Sequence, residues 1–313
     1  MSRDSDYIII LCGVFQDGYN PLTRAGFWKL YHKYGNSIEA LIHSGEQSIE
    51  ILLKRSASVT FAREELLQKG IRITTFLDSD FPKKLFDKLG DFCPPLFYTC
   101  GNPALYQMKT VGYVGSRKID EQDIFWTQKM VEKNYREGFG VVTGGANGID
   151  SIALTHMISL GGFAVVFLPN NMNSKIKDSF YQKSILNGKL LLYSHISPYT
   201  LNTRNVFVAA AMERNKFIYS SSSATVVVRS EKDKGGTWTG ATESLRHKWA
   251  YIYVWDQKEY AGNQKLIEMG AVPLSDEGKI VKTKTNTIVD EKSSSLDIKQ
   301  VPHQTSIEEY LNS

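Results

Sequence analysis

Glycine-rich stretches that follow apolar runs are the residues of this chain whose types and spacing could do chemistry. In VVTGGANGID, residues 141–150, two valines lead into Gly144, Gly145 and Gly148. A backbone without side chains lets N–H groups approach a ligand closely, and the start of a following helix adds partial positive charge. The pattern favours an anion, most often a phosphate, bound by this loop, which also contains Asn147. The alternative is that the glycines only permit a tight turn and close helix packing.

A second stretch of this kind is YVGSRKID, in which Gly115, Ser116 and Arg117 follow an apolar run. These residues offer a bare backbone, a hydroxyl and a guanidinium. A guanidinium can contact a phosphate through two parallel hydrogen bonds. The alternative is that Arg117 is an ordinary surface residue.

A third stretch, EKDKGGTWTG, is predicted to be the loop between the strand ATVVVRS and a helix over GATESLRHKWA. Gly236, Thr237 and Thr239 would supply backbone amides and hydroxyls to the same ligand. Trp238 is a candidate for stacking on a base, and the alternative is that its ring anchors the loop against the core. A mobile surface loop without a ligand is the other interpretation of the stretch.

One predicted helix, in AAAMERNKFIYSSSS, adds a charged and polar pair, Arg214 and Asn215. Its apolar face is expected to include Met212, Phe217 and Ile218. A pair of this kind usually forms a solvated helix face. Three glycine stretches at one sheet edge nevertheless make a single extended anionic ligand the economical explanation, with Arg214 and Asn215 as further contacts.

Other chemistries find little support in the sequence. The glycine spacing fits neither GxGxxG nor a P-loop, so no nucleotide cofactor is expected. The cysteines and histidines have no metal-ligand spacing, and no nucleophile–base pair is present, so no metal site and no catalytic residue are assigned. One alternative stays open. Glu243 could be the acid of a nucleotide hydrolase, or a first-turn helix residue favoured by the helix dipole.

Alternating strands and helices would position these stretches. From Thr110 onward the chain reads strand, helix, strand, helix, with strands that are near-continuous apolar runs. Short connections between such units predict a mainly parallel sheet covered by helices on both faces. The carboxyl ends of its strands would bring the glycine stretches to one edge.

The chain is predicted to have three parts. Residues 1–77 form a small helical N-terminal module, similar to SAM or helix-hairpin-helix modules. Residues 78–278 form the α/β domain. Residues 279–313 are polar and weakly periodic, and they are expected to be a flexible tail.

Composition sets the broad class of protein. Of 313 residues, 42% are hydrophobic and 22% charged, which is typical of a globular protein, and a net charge of +4 permits a polyanionic partner without requiring one. Three cysteines, an odd and sparse set, indicate a reducing compartment. The N-terminal apolar run is too short to span a bilayer. The expected location is therefore the cytoplasm, without membrane association.

The ordered motifs resemble those of the DNA-processing protein A family (DprA/Smf). VGYVGSRK is similar to the family's Gly-Ser-Arg strand end, and GFGVVTGGANGIDSIAL to its glycine loop ending in Gly-Ile-Asp. MERNKFIYSSSSATVVVRS is similar to its Arg-Asn helix and following strand, and GGTWTGATESLR to its last loop. The resemblance runs from about Asp78 to Trp255.

This resemblance implies a fold and a function. The fold would be an extended Rossmann-like, doubly wound, mainly parallel sheet preceded by the helical module. The function would be binding of single-stranded DNA by a homodimer that loads a RecA-type recombinase, best known in natural transformation. The motif positions implied to contact phosphate are Gly115, Ser116, Arg117, Gly144, Gly145, Gly148, Arg214 and Asn215, with Thr237 and Thr239 on the last loop.

This sequence departs from the family pattern at several positions. Asn147 stands where many members carry Arg or Lys, and Leu154 where many carry His. Residues 279–313 are expected to be too short and polar for the winged helix of some members. The alternative function is that of a nucleotide sensor or a nucleotide phosphoribohydrolase of the same superfamily. Such a protein could act in phage defence.

Overall fold

The computed structural model describes residues 2–201 and 203–281. This part of the chain divides into two compact units, each built from two stretches. The first unit joins the residues up to 107 with residues 165–217, and the second joins residues 108–164 with those from 218 onward. The predicted boundaries after residues 77 and 278 stay a prediction.

The first unit contains most of the helices and the antiparallel strands. Its elements are α1 (Arg3–Cys12), α2 (Arg24–Lys33), α3 (Ile38–Ile42), α4 (Gln47–Leu53), α5 (Ser56–Gln68), β1 (Arg72–Thr75), α6 (Lys83–Leu89), β2 (Leu96–Gly101), β5 (Ala164–Leu168, from Val165), α9 (Ser179–Leu186), β6 (Leu190–Ser194) and α10 (Arg204–Ser221, to Phe217). β2 pairs antiparallel with both β1 and β6.

Aromatic side chains form the core of the first unit beside β2. The Phe97 ring meets the rings of Tyr193 and Phe217 edge-on, with centroid distances of 5.7 and 5.3 Å, and Phe167 stacks on Tyr193 at 5.3 Å. All four rings are buried. Burial of such large apolar surfaces is a main source of stability, and it fixes the end of α10 that carries Phe217.

The second unit is a parallel arrangement of strands and helices. Its elements are β3 (Thr110–Val114), α7 (Glu121–Arg136), β4 (Gly140–Thr143), α8 (Ile149–Ser159), β7 (Ala224–Val227), α11 (Gly235–His247), β8 (Tyr251–Trp255), α12 (Ala261–Glu268) and β9 (Val272–Leu274). β3 pairs parallel with β4 and with β7, and the ladder continues parallel through β8 to β9.

Local sequence explains why α7 begins where it does and how it packs. Asp120 caps the helix and forms a capping box with Asp123, so two backbone N–H groups are satisfied reciprocally. On the buried face, the Trp126 ring stacks on Trp255 of β8 at 4.7 Å. The helix is thereby held against the sheet at β8.

The strand order is β1-β2-β6-β5 in the first unit and β4-β3-β7-β8-β9 in the second. This confirms the predicted α/β class with a mainly parallel sheet. β4 follows β3 on one side, whereas β7 joins β3 on the other, so the order of strand addition reverses at β3. In open α/β sheets, ligands bind outside the carboxyl ends of the strands at such a reversal.

Some elements escaped prediction. The apolar N-terminal run forms α1, in which the Ser2 hydroxyl accepts a hydrogen bond from the Ser5 N–H. α12 and β9 were also not predicted. Of the predicted tail, residues 279–281 pair with the end of β9, and residues 282–313 lie outside the described residues. Among the described residues, no helix combines the length and the hydrophobicity needed to cross a bilayer.

Candidate functional site

The predicted glycine stretches meet at the carboxyl ends of β3, β4 and β7. These strands are neighbours and run parallel, with β3 between the other two. The residues that follow each strand therefore lie at the same edge of the second unit. The structure thus brings together the site residues predicted at 115–117, 144–148 and 236–239.

Gly148 is where the first two stretches touch. It has a φ of +84°, and a Cβ atom there would lie 2.2 Å from the Ser116 carbonyl oxygen and 2.7 Å from Arg117 Cα. The next residue, Ile149, donates its N–H to the same Ser116 oxygen at 3.3 Å. Glycine is therefore required by backbone conformation and by close approach together.

Gly115 continues this contact on the other side. A Cβ atom at Gly115 would lie 2.4 Å from Cγ1 of Ile149, the first residue of α8. The Gly115 carbonyl also accepts a hydrogen bond from the Thr237 hydroxyl of α11 at 3.1 Å. The connection after β3 is thus in contact with the starts of both helices.

The connection after β4 presents a row of backbone donors. The Gly144 N–H donates to the buried Asp150 carboxylate at 3.2 Å. In the described part of the chain, the N–H groups of residues 145–148 donate to no protein acceptor. Gly148 caps α8 without a side-chain hydrogen bond. These amides and the positive end of α8 form an anion-binding arrangement.

The third stretch is a helix and not the predicted loop. α11 begins at Gly235, so Gly236, Thr237 and Thr239 lie in its first turns. Glycine costs a helix about 1 kcal/mol. Packing outweighs this cost here, since a Cβ atom at Gly240 would lie 2.4 Å from the buried Tyr219 ring.

The hydroxyls of this helix are already engaged. Thr237 donates to the Gly115 carbonyl and Thr239 to the Gly235 carbonyl, each at 3.1 Å. A hydroxyl has one proton to donate, so neither offers that proton to a ligand in this state. What α11 does offer is its first-turn amides, because its cap residue Lys234 makes no side-chain hydrogen bond.

The side chains at this edge divide into exposed and engaged groups. Arg117 and Asn147 are exposed, and the Ser116 hydroxyl accepts a hydrogen bond from the Lys118 N–H at 3.0 Å. Trp238 is half-buried. Arg117 is therefore the predicted cation of the second unit that a ligand can reach.

An ion cluster beside β7, built around the buried carboxylate of Asp123, was missed by the sequence analysis. Arg229, two residues after the strand, donates to Asp120 at 2.9 Å and to the fully buried Asp123 at 2.8 Å. The hydrogen bond with Asp123 raises the pKa of Arg229, and Tyr260 also donates to Asp123, at 2.9 Å. The only sequence signal was the spacing of Asp120 and Asp123 at a helix start. Arg229 is thus committed to the fold.

Arg214 and Asn215 belong to the first unit. Arg214 is only 3% exposed and Asn215 is half-buried, so the alternative of a solvated helix face does not describe this pair, and their predicted contact with phosphate stays a prediction. Met212, expected on the apolar face, is 56% exposed, whereas Phe217 and Ile218 are buried as predicted. Arg214 stands three and four residues before Phe217 and Ile218, so it shares their buried helix face, whereas Met212 does not.

Glu243 lies away from the helix start. It is the ninth residue of α11, so it is not a first-turn residue, and it is half-buried. At a rise of 1.5 Å per residue, about 12 Å of helix separates it from the amides of Gly235. It is therefore poorly placed to act on a ligand held there.

The family comparison covers all of these residues. The family model of DNA recombination-mediator protein A matches residues 72–285 of the chain. The chain belongs to this family. The match includes every site residue named above, in both units. The arrangement at the carboxyl edge therefore belongs to a member of the DNA recombination-mediator protein A family.

Relatives agree with the family assignment. Protein Smf of Synechocystis is 26% identical over 242 residues, which make up 69% of this chain and 58% of Smf. The chain therefore spans a little more than half the length of this curated relative.

Solved structures show the shared fold. The X-ray structure of DNA processing protein A from Streptococcus pneumoniae has a TM-score of 0.66 at 17% identity, covering 96% of this chain and 99% of that one. DNA processing protein A from Helicobacter pylori has a TM-score of 0.53 at 21% identity, covering 72% and 98%.

Proposed function

We propose that this protein binds single-stranded DNA through the sugar-phosphate chain at the carboxyl edge of β3, β4 and β7. The observation that carries this proposal is the convergence of donors there. The amides of residues 145–148, the uncapped starts of α8 and α11, and the exposed Arg117 all serve the same edge. Such a set of donors suits phosphates.

The related Helicobacter pylori structure supports the choice of ligand. That structure is described as giving insight into the single-stranded DNA binding mode of the Helicobacter pylori protein. Backbone amides and a guanidinium read phosphates and not bases, so the binding proposed for this chain is largely independent of base sequence. Lys232 and Lys234, both exposed just before α11, add positive charge to the path of the strand.

The start of α11 is proposed to take part in binding, and it contains Gly236, Thr237 and Thr239. Thr237 fixes the helix start against Gly115, and Gly236 contributes a backbone amide. Arg214 and Asn215 of the first unit are kept as proposed phosphate contacts on the strength of the family motif alone.

Membership in a recombination-mediator family supports the rest of the proposal. The bound strand would be delivered to a RecA-type recombinase, and the protein would act as a homodimer. Two sites on one strand raise the avidity without new contacts, because the second binding event becomes intramolecular.

A nucleotide hydrolase is the weaker candidate. It would need a carboxylate close to the bound phosphate and a water or nucleophile beside it. Glu243 lies about 12 Å along α11 from the helix start. The proposed function is therefore binding without bond cleavage.

The test compares the affinity for a single-stranded oligonucleotide with the affinity for mononucleotides. Fluorescence anisotropy of labelled oligo-dT is measured alone and in competition with a panel of mononucleotides. Binding of the oligomer that mononucleotides displace only at far higher concentration is the expected result. Preferential binding or cleavage of a mononucleotide, abolished in Glu243→Ala, would replace this proposal by the hydrolase.

A further inference from the structure

An exposed aromatic ring lies beside a lysine on the surface of the first unit. Phe92 ends a short 3-10 turn, Gly90–Phe92, and its side chain is 62% exposed. The Lys216 ammonium lies 5.5 Å from the centre of this ring. Lys216 follows Arg214 and Asn215 on α10. Exposed apolar side chains are common on protein surfaces, so the distinguishing feature of Phe92 is the lysine over its ring.

The surface continues along α10 away from Phe92. Val208, Met212 and Lys216 are four residues apart and share one helix face. Val208 and Met212 are both more than half exposed. The face therefore runs for about two helix turns, from Lys216 beside Phe92 to Met212 and then Val208.

The helix that precedes Phe92 carries more basic than acidic residues. α6, which leads into the turn carrying Phe92, contains Lys83, Lys84 and Lys88 against Asp87. The acidic residue next to Met212, Glu213, forms an ion pair with Arg24 and lies 3.4 Å from His195.

The carboxylate next to the ring is also partnered. Asp91 contacts His32 at 2.9 Å. Asp91 and Glu213, which are the sequence neighbours of Phe92 and Met212, are thus each held by a basic or imidazole group. A polyanion meets less repulsion here than the sequence alone indicates.

We propose that Phe92, Met212 and Lys216 form a second contact for single-stranded DNA, which takes the bases and not the phosphates alone. The Phe92 ring and the Met212 thioether pack against successive bases, and the Lys216 ammonium pairs with a phosphate between them. This inference rests on the proposed DNA-binding function and adds a base-stacking part to it.

The chemistry favours a nucleic acid over a protein partner. Single-stranded DNA sites combine positive charge with an exposed aromatic ring, because every base has a face that can stack. Protein interfaces, in contrast, are depleted of lysine. A lysine that already lies over the ring, on a basic surface, fits the first kind of partner.

The experiment separates the contribution of the bases to the affinity from the contribution of the sugar-phosphate backbone. The full chain is titrated with labelled oligo-dT and with an abasic oligomer of the same length. Phe92→Ala is expected to weaken binding of oligo-dT by about five- to 100-fold, the range of one stacked base, and to leave the abasic oligomer unchanged. Phe92→Trp is expected to retain binding of oligo-dT.

Phe61→Ala is the matched control, because Phe61 is also a phenylalanine of the first unit and is 76% exposed. It is expected to change neither affinity. Unchanged oligo-dT binding in Phe92→Ala would overturn the inference, as would an equal loss for both oligomers. So would equal effects of Phe61→Ala and Phe92→Ala.

The same titrations distinguish this inference from the function on which it rests. If the unmodified chain binds oligo-dT and Arg117→Ala weakens it, but Phe92→Ala does not, only the stacking contact is wrong. If the unmodified chain binds neither oligomer, both proposals fall. Photocrosslinking with a bromodeoxyuridine oligomer gives an independent readout, with an adduct expected on the peptide containing Phe92.

Discussion

Gly148 lies directly against the backbone of Ser116, so that a Cβ atom at residue 148 would be 2.2 Å from the Ser116 carbonyl oxygen. This contact joins the connection after β3 to the start of α8. The joined backbone is what holds the free amides of residues 145–148 in one place. The close packing of Gly148 on Ser116 is therefore expected to govern DNA binding as well as the stability of the fold.

Gly148→Ala is expected to weaken oligo-dT binding at least ten-fold. The added methyl forces the two connections apart, and the positive φ adds strain of about 1–3 kcal/mol. Gly138→Ala is the matched control, since Gly138 has a φ of +82° and no atom within 4 Å of its added Cβ. It should lose about 1 kcal/mol of stability but retain affinity. Thermal unfolding and anisotropy on both variants make the comparison, and equal affinities would refute the role of the contact.

Arg229→Ala is expected to destabilise the fold by about 3–5 kcal/mol, because it leaves the Asp123 carboxylate buried without its cation. Arg136→Ala removes the same charge from a side chain that is 78% exposed, and should cost little. Urea unfolding measures both. For Arg229→Ala protein that remains folded, the salt dependence of DNA binding should match that of the unmodified chain. A stable Arg229→Ala variant with weakened salt dependence would instead make Arg229 a phosphate contact.

His195 is expected to make stability fall on mild acidification. Burial, together with the charges of Arg24 and Arg214, lowers its pKa to about 3, so at neutral pH its contact with Glu213 is not an ion pair. Below about pH 6.5 the unfolded chain binds a proton that the folded chain does not, so stability is lost as the pH falls from 6.5 toward 3.

The size of this effect is about 2 kcal/mol between pH 7 and pH 5. Urea unfolding at both pH values, for the unmodified chain and for His195→Gln, isolates the contribution of this residue. The variant should show that much less pH dependence. The same pH dependence in both proteins would mean that His195 is not held neutral in the fold.

Much of the architecture could be predicted from the sequence because its signals are local. The apolar runs at β3 and β4 end in glycines, and the run at β7 is followed by Gly235 and Gly236. Parallel strands must bring the ends of these runs to one edge. The capping residue Asp120 likewise marks the start of α7.

What could not be predicted depends on contacts between distant residues. GGTWTG is a poor helix former, and only its packing on Tyr219 and its hydrogen bond to Gly115 make it the start of α11. Arg214 is a charged residue yet it is buried, because it shares a helix face with Phe217, whose ring packs into the aromatic core. The partners of Arg229 and the exposure of Phe92 leave no signal in the sequence near them.

The most direct test of the central claim is the salt dependence of oligo-dT binding in Arg117→Ala. If Arg117 contacts a phosphate at the carboxyl edge, the slope of log affinity against log salt should become shallower by about 0.7, with weaker binding at low salt. Arg136→Ala, at the edge where β4 begins, should leave the slope unchanged. An Arg117→Ala slope and affinity equal to those of the unmodified chain would contradict a strand bound at this edge.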